Sequence, residues 1–209
     1  MRLQIALDCN DIETALSTLA NVYPYVDIAE LGTGLMISEG VRAIKTLKEQ
    51  YPDLILLSDV KLMDGGQPLA QMIFNAGADI VTVLGVAANE TIRGGVRAAE
   101  EYGKETFVDM ICVSDVETRS REIDELGARY IGVHTSYDLR DSVGAPLESL
   151  RKIKGTVNRA QTAISGGIGY EMLPEIIAEK PDIVITGGAI MNAADQRNEA
   201  KKIYNMIHG

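Results

Sequence analysis

At 209 residues, with 46% of them apolar and no tryptophan, the chain is long enough for one sizeable core, and that core must be aliphatic. A formal charge of −10 argues against nucleic acid or an anionic membrane as the main partner, because both select a basic surface. It leaves room for a phosphorylated small molecule, which backbone N–H groups and one or two local cations can hold. Two cysteines, Cys9 and Cys112, cannot form a disulfide framework and point to a reducing, cytoplasmic setting. Each follows a predicted strand, where a reactive thiol and a small packing side chain are both consistent. The apolar run at 3–7 is too short for a signal peptide and meets Asp8 at once, and no run of about 18 apolar residues offers a membrane span.

Hydrophobic periodicity then divides the chain. A strand over 3–7 ends at Asp8, and Asp11 opens an amphipathic helix carrying Ala15, Leu16 and Leu19 on one face. A strand over 26–31 carries Glu30, and a helix over 38–50 follows, with Ser38 as its expected N-cap and Pro52 beyond its end. The apolar run 54–57 reads as a buried strand leading into Asp59-Val60-Lys61-Leu62-Met63-Asp64-Gly65-Gly66, and a helix over 67–76 is expected to close at Gly77. Strands over 80–84 and 105–110 flank a helix over 88–102, and a helix over 116–126 stops at Gly127. A strand over 130–133 ends at His134-Thr135, and after a longer connection 146–154 is helical. Strands over 162–164 and 183–185 end in Ser165-Gly166-Gly167 and Thr186-Gly187-Gly188, with helices over 171–179 and 193–207. Eight strand–helix units in strict alternation, with no linker, predict a single-domain (β/α)8 TIM barrel over 1–209. A doubly wound open sheet is the alternative fold, with fewer strands and a dinucleotide loop.

In such a barrel the active site lies at the C-terminal ends of the strands. Those ends carry Asp8, Glu30, Asp59 with Lys61 and Asp64, Asp109 and His134, from segments remote in sequence. Taken singly, an acid there can cap the next helix, Asp59 with Lys61 can be a structural ion pair, and a histidine can be a satisfied structural group. Together they suit a charged, metal-assisted site. An extended segment puts Asp59 and Lys61 on one side. Glu30 and Asp59, on adjacent strands, suit Mg²⁺, which takes oxygen ligands and keeps waters; Glu30 could equally pair with Lys61. No histidine or cysteine cluster suggests zinc. His134 is the group suited to general acid or base work, whereas His208 lies near the C-terminus. The matched Gly-Gly pairs, Gly166-Gly167 and Gly187-Gly188, let backbone N–H groups approach an anion closely, as phosphate binding requires.

On these residues the chain resembles the 3-hexulose-6-phosphate synthases of the orotidine 5′-monophosphate decarboxylase suprafamily. The resemblance runs from Leu3-Gln4-Ile5-Ala6-Leu7-Asp8 through Glu30-Leu31-Gly32-Thr33 and the Asp59, Lys61, Asp64 motif. It continues through Val81-Thr82-Val83-Leu84-Gly85, Val108-Asp109-Met110-Ile111 and Val133-His134-Thr135 to Ser165-Gly166-Gly167-Ile168 and Gly187-Gly188-Ala189-Ile190 with Asn192-Ala193-Ala194-Asp195. It implies a reversible, Mg²⁺-dependent aldol condensation of formaldehyde with D-ribulose 5-phosphate, giving D-arabino-hex-3-ulose 6-phosphate. In that scheme Glu30 and Asp59 hold the metal, His134 moves the C1 proton, and Lys61 faces the enediolate oxygens. Asp8 orients Lys61 or sugar hydroxyls, while Ser165, Gly166, Gly167, Gly187, Gly188 and Asp109 contact the sugar phosphate. The resemblance also implies a homodimer with shared active sites, Asp64 reaching the neighbour's.

The related 3-keto-L-gulonate-6-phosphate decarboxylases typically have Glu at the place of Asp109, Arg at that of Tyr137 and Gly-Arg at that of Gly188-Ala189, so those three positions side with the synthases. Ser165 and Thr33-Gly34 depart mildly from the usual pattern. The alternative activity is that decarboxylation; a non-catalytic barrel that binds a sugar phosphate is the alternative of another class.

Overall fold

In the computed structural model, which describes residues 1–209 and the side chains of all but 140 and 141, eight parallel strands pair in sequence order and close on themselves. They are β1 (Arg2–Leu7), β2 (Ile28–Leu31), β3 (Ile55–Leu62), β4 (Ile80–Leu84), β5 (Glu105–Asp109), β6 (Tyr130–His134), β7 (Gln161–Ser165) and β8 (Ile183–Thr186). The crossover helices surround them: α1 (Ile12–Val22), α2 (Thr33–Glu39), α3 (Val41–Gln50), α4 (Gly66–Asn75), α5 (Asn89–Tyr102), α6 (Val116–Leu126), α7 (Arg140–Val143), α8 (Leu147–Lys154), α9 (Leu173–Ala178), α10 (Gly188–Met191) and α11 (Gln196–His208). The expected closed barrel is therefore the observed one. No helix among the described residues is long and apolar enough to cross a membrane.

Strand side chains alternate between two surfaces, and each surface has its own core. Outward-facing Leu3, Ile5, Leu56, Val81, Val108, Ile131 and Val184 join the helix side chains in one layer. Inward-facing Ala6, Ile28, Leu57, Ile80, Phe107, Tyr130, Ala163 and Ile183 fill the barrel itself. At the floor of this layer the Tyr130 hydroxyl accepts from Arg2 at 2.9 Å and donates to Glu105 at 2.6 Å. Gly132 makes the filling possible, because a Cβ there would meet the Phe107 ring at 2.3 Å.

An Asp-Ile pair begins three even-numbered strands, and each does the same work. Asp27, Asp79 and Asp182 accept through a carboxylate oxygen from the backbone N–H of Leu3, Leu56 and Thr162, at 2.7, 2.9 and 2.7 Å. Each returns its own N–H to the carbonyl of that same residue, at 2.9, 2.8 and 2.8 Å. The side chain thus continues the ladder beyond the strand and fixes register at the barrel floor.

Several expected boundaries shift, each for a local reason. The helix expected over 38–50 is two helices, because Gly40 takes φ +58° and turns the chain between them; Ser38 lies inside α2 and is not an N-cap. Ala76 caps α4, with Gly77 following at φ +111°. The expected 171–179 helix is a 3-10 turn over Tyr170–Met172 running into α9. The last helix starts at Gln196, where the Asp195 side chain accepts from the Asn198 N–H. β3 does not stop at 57: it carries Asp59 and Lys61 within it, through an irregularity where β3 advances from Ser58 to Leu62 while β4 advances only from Val81 to Val83.

Candidate active site

Inward-facing alternation continues past the apolar layer and delivers polar groups to the C-terminal mouth: Gln4, Glu30, Asp59, Thr82, Asp109 and His134 sit on β1 to β6 in that order. They line a cavity of about 790 Å³. Asp8, Lys61, Ser165, Gly166, Gly167, Gly187 and Gly188 line it too, so the barrel gathers all but one of the expected site residues. The exception is Asp64, which is exposed outside the cavity, its carboxylate accepting from the Gly65 N–H at 2.7 Å.

Asp59 is buried and accepts from three donors. One oxygen accepts from the Thr33 hydroxyl at 2.7 Å and from the Lys61 ammonium; the other accepts from the Thr82 hydroxyl at 2.9 Å. Lys61 reaches Asp59 although its own backbone leaves the extended region at φ +47°. Its ammonium also donates to Thr33 at 3.1 Å and lies 3.9 Å from Asp109. Burial pulls the Lys61 ammonium down, but the Asp59 carboxylate, with Asp109 and Glu30 behind it, outweighs that and holds it above the usual lysine value. Glu30 accepts from the Gln4 amide at 2.6 Å. Burial first, and then the charge of Asp59, push its carboxyl well above the usual carboxylate range. The closest ion pair that Lys61 forms is with Asp59.

Asp109 is buried, and one of its oxygens lies 2.9 Å from His134 Nδ1 while the other accepts from the Ile111 N–H at 2.9 Å. This places it behind the histidine as well as on the cavity wall. An ionised carboxylate only accepts, so it holds the imidazole proton on Nδ1 and leaves Nε2 as the acceptor.

Across the mouth, Gly166 and Gly167 take φ +105° and +67°. A Cβ on Gly166 would meet the Thr135 carbonyl at 2.5 Å, so only glycine brings this backbone so close to the next loop. Gly187 precedes the short α10, whose first N–H groups have no acceptor within the helix. Gly187 and Gly32 also flank Asp8: a Cβ on either would lie 2.8 or 2.6 Å from its carboxylate oxygens.

The sequence assigned Thr33, Thr82 and Gln4 no role, yet they bind Asp59, Lys61 and Glu30 directly. The available signal was a polar residue at an inward position of the strand alternation, Thr82 between Ile80 and Leu84 being the clearest case.

Residues 1–203 match the model of the orotidine 5′-phosphate decarboxylase / HUMPS family. A 3-hexulose-6-phosphate synthase of Bacillus subtilis is 47% identical over 207 residues, covering 99% of each chain. One of Staphylococcus saprophyticus is 43% identical over 209 residues, covering both chains fully. The crystal structure of 3-hexulose-6-phosphate synthase from Salmonella typhimurium has a TM-score of 0.97 at 43% identity, over 100% of this chain and 99% of that one. A 3-keto-L-gulonate-6-phosphate decarboxylase from Vibrio cholerae is more distant, at 29% identity and a TM-score of 0.86, over 99% and 97%. Barrel, site and full-length similarity agree: the chain is an enzyme that belongs to the orotidine 5′-phosphate decarboxylase / HUMPS family.

Proposed function

We propose that the protein catalyses the reversible, Mg²⁺-dependent aldol condensation of formaldehyde with D-ribulose 5-phosphate to D-arabino-hex-3-ulose 6-phosphate. The observation that carries this reading is the Asp109–His134 pair facing Lys61 and the Glu30/Asp59 carboxylates around one cavity, opposite a glycine-built anion cradle. The greater identity to synthases than to the Vibrio cholerae decarboxylase supports it, as do Asp109, Tyr137 and Ala189.

No group of three or more His, Cys, Asp or Glu side chains among the described residues forms a metal cage. A cation would take Glu30 and Asp59 and complete its shell with water and substrate oxygens, the habit of Mg²⁺. Glu30 and Asp59 stand on the adjacent, paired strands β2 and β3 and line the same cavity, which is the all-oxygen donor set such an ion takes. Bound Mg²⁺ supplies Lewis acidity that polarises the ketone and offsets negative charge on its oxygens.

His134 Nε2 takes the C1 proton of the sugar phosphate, and Asp109 stabilises the imidazolium that forms. Carbon C1 of the resulting enediolate then attacks formaldehyde, and the new alkoxide takes the proton back from the His134 imidazolium, which restores the neutral base. The Lys61 ammonium stabilises the enediolate oxygens. Asp8, seated between Gly32 and Gly187, orients sugar hydroxyls. The phosphate rests on the N–H groups of Gly166, Gly167 and the start of α10, beside Ser165. Asp64 serves the site of a second copy in a homodimer. Exposed Met63, Leu69 and Met72 beside it give that face the apolar surface a subunit contact needs. Free Cys9 and Cys112 suit the reducing cytoplasm.

The test is purified protein with Mg²⁺, offered ribulose 5-phosphate with formaldehyde, and separately 3-keto-L-gulonate 6-phosphate. Formaldehyde consumption that dominates, and stops with EDTA, is the expected result. Dominant CO₂ release would make the protein a decarboxylase, and binding of sugar phosphate with neither activity would make it a binding barrel. Asp59→Ala should abolish turnover while the barrel still folds; unchanged activity would remove Asp59 from the metal site.

A further inference from the structure

Where β3 advances four residues against two of β4, the backbone ladder between them breaks. The Lys61 N–H faces β4 there and is satisfied by a side chain instead: Thr82 Oγ1 accepts from it at 2.9 Å. The same hydroxyl's proton has two acceptors in reach, Asp59 Oδ1 at 2.9 Å and the Ser58 carbonyl at 3.5 Å, and the shorter contact is the one to Asp59. A hydroxyl offers one donor and two acceptor positions. In Thr82 the donor is spent on one charged residue of the site and an acceptor on the backbone of the other. Lys61 needs such a hold, because a non-glycine residue at φ +47° is kept there only where its surroundings over-determine it.

We propose that Thr82 is a positioning residue: its buried hydroxyl sets the places of Asp59 and Lys61 together, holding the β3 irregularity in the shape the site requires. Thr33 grips Asp59 and the Lys61 side chain from the other flank. Among the described residues, Thr82 is the side chain that binds the Lys61 N–H. Without it the Lys61 N–H and an Asp59 oxygen lose their partner, and the ammonium drifts from the substrate oxygens. The phosphate cradle on β7 and β8 stays as it was. The catalytic consequence rests on the aldolase reading above; the structural one does not.

The experiment compares wild type with Thr82→Val, Thr82→Ser and Thr106→Val. Valine keeps the shape and removes the hydroxyl, serine keeps the hydroxyl, and Thr106 is a buried strand threonine on the outward surface whose hydroxyl has no partner among the described residues. Thr82→Val should lower kcat by about 10- to 100-fold, the usual effect of losing a group that orients a metal ligand. KM for the sugar phosphate should change little, and Thr82→Ser and Thr106→Val should stay near wild type. Amide exchange at Lys61 should quicken in Thr82→Val and not in Thr82→Ser. A Thr82→Val enzyme with wild-type kcat, or a folded Thr82→Ser as impaired as the valine variant, would overturn the proposal. If Thr82→Val does not fold, the serine variant and the Lys61 amide of the wild type decide: an unprotected amide overturns it. If the wild type lacks the activity, the aldolase reading fails, and the exchange comparison still decides the role of Thr82.

Discussion

Asp79 gathers two ammonium groups, Lys104 at 2.6 Å and Lys48 at 2.8 Å, together with the Leu56 N–H at 2.9 Å. Burial pushes its carboxyl up, but Lys104, Lys48 and the Leu56 N–H outweigh that and hold it below the usual carboxylate range. A carboxyl lowered on folding contributes stability that is present above its unfolded value of about 3.9 and is lost as pH falls through the folded value. Acid titration followed by circular dichroism should therefore show wild type losing stability below about pH 4 by a margin that Asp79→Asn lacks. At neutral pH, Asp79→Ala should cost about 2–3 kcal/mol in urea unfolding, since it strands two partly buried lysines and a backbone donor. Asp109 is the other telling carboxylate. As a strand-end acid it reads as a substrate contact, and the structure adds a place behind His134. Asp109→Asn should lower kcat by about 10²-fold with little change in KM, the lower range for a general base; an unchanged kcat would separate Asp109 from the proton transfer. Asp8, Glu30, Asp59, Lys61 and His134 were legible as a set because each stands at the end of an apolar run, where a barrel gathers its site. Thr82 and Thr33 were not, because a hydroxyl in a strand is ordinary.

At the scale of elements, periodicity carries most of the assignment and glycine most of the error. Gly40 and Gly77 look alike in sequence, yet one divides two helices and the other follows a cap; what differs is the direction each neighbouring element must take to reach its strand. Gly66 shows the packing side. It opens α4 where that helix crosses α5, and a Cβ there would fall 1.9 Å from the Thr91 carbonyl. Gly66→Ala should force α4 and α5 apart and cost about 1–3 kcal/mol, read as a lower unfolding midpoint. The Asp-Ile strand starts belong to this scale as well. Asp182→Ala should leave the Thr162 N–H and hydroxyl without their shared acceptor at the barrel floor and cost about 1–3 kcal/mol.

For the whole molecule, closing the barrel is what creates the site: β1 pairs with both β2 and β8, so Asp8 comes to lie against Gly187. The placement of Asp64 outside its own cavity makes the assembly testable. Sedimentation should show a dimer. Asp64→Ala and His134→Ala should each be nearly inactive alone, and activity should return when the two are co-refolded, because one site of each mixed dimer would then be intact. No recovery would place Asp64 out of the neighbour's site.

The sequence by itself determined the eight alternating units, the two alternating strand surfaces and the identity of nearly every charged group at the mouth. These follow from local rules: period-two alternation, turn chemistry and the cost of burying charge without purpose. Only the tertiary structure decided which acid serves which partner. Asp59 rather than Glu30 takes the closest contact with Lys61, Asp109 backs His134, and Thr82 holds the irregular turn of β3. Those pairings join residues 2 to 25 positions apart across different strands or a backbone irregularity. Angles at a barrel mouth are set by closure and by register shifts, which no single segment encodes.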